Sequence, residues 1–564
     1  MSQQAGNQIN LIVAVREYVK KIVCDPALSG MKVLLLDPAT TKIVSMVYSQ
    51  TQILEQEVYL VEQLGKRHEN MTHFKAAVFI QPTDTNLDLL VKELKEPKFA
   101  EYHLFFSNIV PQDMLVRLGR ADEHDVIKQV QEYYADFMVI NDDLFQLGSE
   151  NSISLSSPLS RTLESSKTFD RNVKGVLSVL LAMKRRPSQI RYQASSDLAR
   201  RVSNEILTHV EHDDVFDFRR QEGPLLLVLD RRDDPITPLL TQWTYQAMVH
   251  ELLGLNNNRV SLKGVPGINK ELEEVVLSST QDEFFARQKF SNFGDLGTAV
   301  KEMLDDYQRS AKMNENINSI EDMQNFMERY PAFRSRSINV SKHVALISEL
   351  SRLNDKYCLF DISRLEQEIA CSNDHSNHKK ELIEKIANPK IQPTDKLRLT
   401  LLYLIKYESY DEARELKTKL LEKGLSTTQV GLIDALLDYA GENRRAPGLF
   451  SSGSIVKALG KALSTSLNGV ENVFTQHEPL LSNILDAISK GKLKDSQFPL
   501  ISNSSSSGRL NEVVVFIVGG VTYEEATKVA EFNKANPSMK VVLGGSCVHN
   551  SNSFLKELGN VFGR

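Results

Sequence analysis

Cysteine is scarce in this chain: four residues in 564, namely Cys24, Cys358, Cys371 and Cys547, scattered far apart. A disulfide framework is excluded, and free thiols in a reducing compartment are expected. Long apolar runs are missing. No stretch approaches the roughly 20 residues of a membrane-spanning helix. The opening MSQQAGNQIN has no basic segment followed by an apolar one, so no secretory leader is expected. Neither charge sign dominates, with a net charge of -6, so nucleic acid is not expected as a partner. Any membrane contact is then peripheral and made through another protein. No internal repeat is visible.

Catalytic signatures are also missing. There is no G-x-S-x-G, no H-E-x-x-H and no paired-carboxylate cleft. Asp230, Asp233 and Asp234 end an apolar run, where carboxylates can hold a metal or accept phosphate. Arg232 occupies the position at which a dehalogenase-type phosphatase needs a second aspartate, and an ion-pair network fixing a turn is the simpler role. Gly519-Gly520 lies between a strand and a helix, but neither G-x-G-x-x-G nor G-x-x-x-x-G-K-[ST] is present. Glu524 and Glu525 would repel phosphate there. A tight turn with Thr522 as helix cap is expected instead. Cys358, Cys371, His375 and His378 have spacings that match no standard zinc finger. No metal, cofactor or turnover is expected.

What is present centres on Pro224 to Gly254. Leu225 to Leu229 is an unbroken apolar run that predicts a strand buried on both faces. Thr237 as N-cap and Pro238 at the first helical position predict a helix running through Trp243, the only tryptophan, to Gly254. Upstream, residues 8 to 23 carry helical periodicity. Strands are expected at Lys32–Leu36, Ile43–Tyr48, Ala76–Ile80, Tyr102–Phe106 and Phe137–Ile140, with helices at Thr51–Leu64 and Leu87–Leu94 between them. Such alternation predicts a parallel open α/β sheet.

Residues 148–168 read as a serine-rich connection, followed by helices near 170–184 and 195–210. After Gly254 about two hundred helical residues without a good strand are expected. Pro331 is expected to kink or end a helix. Polar loops are expected at Cys371–Lys380 and Ala440–Gly453, and a long connection at Ser489–Arg509. Ser454–Val473 is amphipathic, which suits either a packed helix or one lying on a membrane. Strands return at Val513–Val518 and Val541–Leu543. Two extra strands make a poor domain alone, so they are expected to join the sheet of Leu225–Leu229.

Leu-Asp-Arg-x-x-Asp-Pro-x-Thr-Pro from Leu229 to Pro238, then Gln246-Ala247-Met248 and Glu251-Leu252-Leu253, resembles the SM (Sec/Munc) family of SNARE-binding proteins. Asn292–Gly297, Asn339–Val344, Asp395–Tyr403, Val470–Leu481 and Val513–Ala526 resemble its endosomal, vacuolar-protein-sorting branch in the same order. The resemblance implies a three-domain arch: an α/β domain at 1–140, a discontinuous α/β domain at 141–245 with 480–564, and a mainly helical domain at 246–479. It implies a non-enzymatic protein, cytoplasmic and peripheral on Golgi and endosomal membranes. Its partners would be a syntaxin-class (Qa) SNARE, the assembled SNARE bundle and an R-SNARE. An α/β enzyme using the Asp230 strand end, or a trafficking scaffold without SNARE specificity, are the rivals.

The resemblance also implies three surfaces. A pocket for the syntaxin's N-terminal peptide would be lined by Val110, Leu115, Leu118, Val126 and Val130, with Glu132 facing a basic residue of the peptide. Leu115 with Leu118, and Val126 with Val130, are expected to share helix faces; a buried core position is the other use of such residues. A cleft holding the SNARE bundle would use Lys42 and Glu62, while Ser49 stands where neuronal members have a basic residue. A hairpin around Glu321–Ile369, hinged at Pro331, would template SNARE pairing through Val344, Ile347 and Leu350, unless that stripe is permanently buried.

Overall fold

Lys32–Leu36 (β1) is buried at every position, as a strand covered on both faces must be. In this computed structural model, which describes residues 10–66, 69–156, 163–218, 223–315, 320–450, 474–501 and 510–562, β1 pairs in parallel with Val58–Gln63 (β2) and Met71–Ile80 (β3). Phe99–Phe106 (β4) and Ile127–Glu132 (β5) complete a five-stranded sheet of order β2-β1-β3-β4-β5. Its helices are Leu11–Val23 (α1), Pro38–Val47 (α2), Gln50–Leu54 (α3), Asp84–Lys95 (α4) and Gln112–Ala121 (α5). Leu87, Leu90 and Leu94 of α4 and Met114, Leu118 and Ala121 of α5 pack on Val78, Ile80, Leu104 and Phe106.

Two local expectations fail here for identifiable reasons. Ile43–Tyr48 is not a strand but the second half of α2. Asp37 and Thr40 cap that helix reciprocally, with Pro38 at its first position. A short β-branched run carries no period of its own, and the cap decides. Thr51–Leu64 is not one helix: Glu57 takes a left-handed φ of 61° between α3 and β2, which no helix tolerates in its interior.

The second sheet joins distant parts of the chain. Met138–Asn141 (β6), Leu144–Gln146 (β7), Gln189–Tyr192 (β8), Leu225–Asp230 (β9), Glu512–Val518 (β10) and Lys540–Gly545 (β11) lie in the order β6-β7-β11-β10-β9-β8. β6 therefore joins this sheet, not the first domain to which residues up to 140 were expected to belong. β9 and β10 pair in parallel from Leu225↔Val513 to Asp230↔Val518, so the C-terminal strands do complete the sheet of the Leu225 run. Arg185, after the helix Leu163–Ala182 (α6), holds Glu512 bidentately at 2.7 and 3.0 Å. A Cβ on Gly544 of β11 would lie 1.9 Å from the Phe145 ring, so only glycine fits. The free edge of β8 is covered by Gln497–Ile501, through Ala194 N–H to Gln497 O and Ile501 N–H to Ile190 O, which removes a site of strand addition. The helix Asp197–His212 (α7) packs against β8 and β9.

The chain divides into two compact units. Met1–Arg231, Ile484–Val521 and Lys528–Val548 form one, containing both sheets; Arg232–Asn483, Thr522–Thr527 and His549–Arg564 form the other. The second is mainly helical: Tyr245–Leu252 (α8), Glu283–Gln288 (α9), Phe293–Glu315 (α10), Ile320–Tyr357 (α11), Leu359–Cys371 (α12), His375–Ala387 (α13), Pro393–Lys406 (α14), Ala413–Glu422 (α15) and Thr427–Ala440 (α16).

Three expectations are corrected in this unit. Thr237 starts only a single 3-10 turn, and α8 begins at Tyr245. Between them the backbone donors are taken from outside: Thr241 N–H by Glu366 and Tyr245 N–H by Ser291 O, which leaves no helical ladder to form. A small antiparallel hairpin, Arg259–Ser261 with Glu274–Val276, interrupts the helical region; three-residue strands are too short to show a period. Asp374 caps α13, so the expected loop at Cys371–Lys380 is helical from His375. Ser454–Val473 lies outside the described residues.

Arg398 of α14 forms the polar centre of this unit. Only 2% exposed, it reaches Glu366 at 2.9 Å, Asp395 at 2.8 Å and Glu251 at 3.8 Å. It also donates to Leu239 O and Thr241 Oγ1. Glu251 in turn accepts from Ser551 N–H at 3.0 Å, at the start of the C-terminal helix. Burial opposes Arg398's charge, but the three carboxylates hold its pKa above the ordinary value.

Candidate functional site

At the edge of the first sheet, α5 and β5 present a partly apolar surface. On α5, Met114, Leu118 and Ala121 recur at helical spacing and turn inward. Leu115 and Val116 point the other way, 37% and 44% exposed, and Val130 on β5 is 40% exposed. Asp122 closes the turn between helix and strand, accepting from Val126 N–H at 2.9 Å and Ile127 N–H at 3.0 Å.

The five expected lining residues therefore divide, and Glu132 differs from all of them. Leu115 and Val130 are at the surface. Val110 and Leu118 belong to the core cluster, and Val126 is half-buried against it. Val126 and Val130 do not share a helix face: β5 is a strand, Val126 precedes its first residue, and the register slips between Ile127 and Gln129. The Glu132 carboxylate already has partners within the chain. Oε1 accepts from Val110 N–H at 2.7 Å and Oε2 from the Tyr134 hydroxyl at 3.1 Å, so it fixes the β4–α5 loop. Val116 is an exposed apolar residue at this surface that the sequence reading missed. Its signal is its place off the inward stripe of α5.

Among the expected cleft residues, Lys42 is exposed on α2, and Glu62 is half-buried on the edge strand β2, opposite Leu35. Ser49 has a local duty: its hydroxyl and the Gln52 side chain cap α3 reciprocally, at 3.2 and 3.0 Å.

In the expected hairpin, Pro331 does not end a helix. α11 runs without a break from Ile320 to Tyr357. The proline removes one hydrogen bond from this 38-residue helix, while Phe333, just beyond it, stacks on Tyr307 of α10 at 5.4 Å. Val344 and Ile347 are half-buried, but Leu350 is fully buried and cannot belong to an exposed stripe in this state. Pro331→Ala restores a donor to a helix that is already continuous and is expected to stabilise it by up to about 3 kcal/mol. Slower hydrogen exchange of the α11 amides around position 331 is the check; unchanged exchange contradicts it.

The acidic turn after β9 is occupied with structure. Asp230 accepts from Ser196 Oγ at 2.6 Å. Asp233 accepts from Ala446 N–H, and Asp234 from Thr237 N–H and Oγ1 and from Leu480 N–H. Gly519 and Gly520 take φ of 89° and 97°, and Thr522 with Glu525 forms a reciprocal cap. His378 lies between the Tyr407 hydroxyl at 2.8 Å and Ser372 Oγ at 3.2 Å, while His375 stacks on Tyr410 at 3.7 Å.

The Sec1 family pattern matches residues 32–557. The chain is 44% identical over 558 residues to vacuolar protein sorting-associated protein 45 of Dictyostelium discoideum, covering 99% of this chain and 98% of the relative. It is 43% identical over 556 residues to the protein of the same name from Homo sapiens, covering 98% and 96%. Among solved structures, the SM protein Vps45 in complex with the Qa SNARE Tlg2 matches with a TM-score of 0.89 and 42% identity, over 98% of each chain.

Proposed function

Because the chain belongs to the Sec1 family, we propose that it binds a syntaxin-class (Qa) SNARE and promotes assembly of the fusogenic SNARE bundle in traffic between the trans-Golgi and endosomes. The observation that carries this is its likeness, over nearly all of its length, to a protein solved with a Qa SNARE bound. The surface of Leu115, Val116 and Val130 supports it locally. A short peptide with an apolar anchor suits such a surface, and all three residues are displayed on regular elements whose inward faces are packed.

We read the chain as a binding protein, not an enzyme, since the carboxylates of the Asp230 turn are engaged in holding backbone and hydroxyl groups. We place it peripherally on Golgi and endosomal membranes; among the described residues no helix is long and apolar enough to cross a bilayer. Val344 and Ile347 on α11 remain the proposed contact for SNARE helices, including an R-SNARE, and Lys42 and Glu62 for the assembled bundle. Assembly of purified endosomal Qa-, Qb-, Qc- and R-SNARE cytosolic domains, followed by fluorescence transfer, is expected to speed up when the chain is added. An unchanged rate with every cognate set sinks the assembly role.

A further inference from the structure

One face of α11 is tied to the segment before it by polar side chains stacked along the helix. Arg334 pairs with Glu271 at 3.6 Å near the surface. Deeper in, Asn339 Nδ2 donates to Asp282 Oδ1 at 3.3 Å. Lys342 Nζ donates to Val276 O at 3.1 Å and also meets Asp282 Oδ2. His343 Nε2 meets the same Oδ2 at 2.8 Å, and its Nδ1 lies 2.8 Å from the Tyr245 hydroxyl. Asp282 Oδ1 additionally accepts from Phe285 N–H and so caps α9.

All four central groups are buried: Asp282 is 4% exposed, Lys342 9%, His343 0% and Tyr245 0%. Among the described residues, Asp282 is the one carboxylate within ion-pair distance of Lys342 or His343. The order Tyr245, His343, Asp282 has the connectivity of a catalytic relay, but the phenol is sealed from any substrate, so the arrangement has another use. Burial alone would raise the Asp282 carboxyl; hydrogen bonds from His343 and the Lys342 charge hold it well below the usual carboxylate range. Burial pushes His343 down, toward the neutral ring.

Asn339, Lys342, His343, Leu346 and Leu350 recur at helical spacing and face inward, which leaves Val344 and Ile347 at the border. We propose that Asp282 is a latch that fixes the rotational phase of α11 and so selects the stripe this helix offers to a partner helix. The physical reason is that one carboxylate compensates a buried ammonium. Without it, Lys342 is an uncompensated buried charge. A long lysine stem relieves that most readily by carrying its head to water, and here that requires α11 to roll or to lift away. That the offered stripe acts on SNARE helices rests on the function proposed above.

Hydrogen exchange on the full chain tests the latch. Asp282→Asn is expected to speed exchange from Phe333 to Leu350 by about tenfold or more, while the amides of β9 and β10 keep wild-type protection. Adding Lys342→Met removes the stranded charge and is expected to restore most of the protection of α11, which a lost α9 cap alone would not allow. If the single variant does not fold, Asn339→Ala and the double variant carry the same comparison. Unchanged exchange in α11, acceleration shared equally by α12, α14 and α16, or no recovery in the double variant would each overturn the latch. SNARE assembly measured on the same variants separates the two claims: a loosened α11 with wild-type assembly keeps the latch and removes the hairpin from the assembly step.

Discussion

Replacing Arg398 with methionine is expected to cost about 3–5 kcal/mol, because removing one partner of a buried ionic cluster leaves the others uncompensated. Glu366, Asp395 and Glu251 converge on this one guanidinium. Its other donors hold the backbone at Leu239 and the Thr241 hydroxyl. The loss should appear as a fall of roughly 10 °C in the melting of the helical unit. It should also depend on pH with a definite sign. Burial raises the Glu366 and Asp395 carboxyls, against the pull of Arg398. A carboxyl with a folded value above its unfolded value of about 4 stabilises the fold below that value. It loses this stabilisation as the pH rises through the folded value. Without Arg398 both carboxyls rise further, so the deficit of the variant should be smaller at about pH 5.5 than at about pH 8. Thermal melts at the two pH values check this; equal deficits at both would mean that the carboxylates do not share Arg398 as described.

Leu115→Arg is expected to leave the fold intact and to weaken binding of the syntaxin N-terminal peptide at least roughly tenfold. An apolar anchor at an interface is commonly worth about 2 kcal/mol or more. Leu115 is 37% exposed, so the guanidinium can stay in water when the peptide is absent. On docking it would have to be buried without a partner. Leu118→Arg is the contrast. Leu118 is 2% exposed within the core of the first sheet, and the same charge there should unfold that part of the chain. Calorimetric titration with the peptide, beside a melt of each variant, gives the answer. A folded Leu115→Arg protein with wild-type peptide affinity removes Leu115 from the site.

The Leu225 run, the C-terminal strands that join it and the alternation around the first sheet were legible because buried parallel strands are short, apolar and bounded by turns. The β-branched run Ile43–Val47 was not, because its helix depends on a cap formed by Asp37 and Thr40. The extended Leu240–Thr244 segment was illegible for a different reason. It is set by donors and acceptors far away in sequence, such as Glu366 and Ser291, and no local pattern records them. At the candidate site, the spacing of Leu115 and Leu118 located the helix but could not say which residue faces out. One became surface and the other core. Glu132 lies on β5 beside that surface, and its carboxylate serves the Val110 loop. Pro331 signals a kink or an end, and α11 continues past it.

This chain is proposed to bind a syntaxin-class SNARE, in part through the surface of α5 and β5. Titrating the full chain with the cytosolic domain of each endosomal and Golgi syntaxin, with and without its N-terminal peptide, tests it most directly. Saturable one-to-one binding to at least one syntaxin is expected, weakened when the peptide is removed and weakened no further by Leu115→Arg once it is gone. Absence of binding to every syntaxin, with the chain folded, would contradict it.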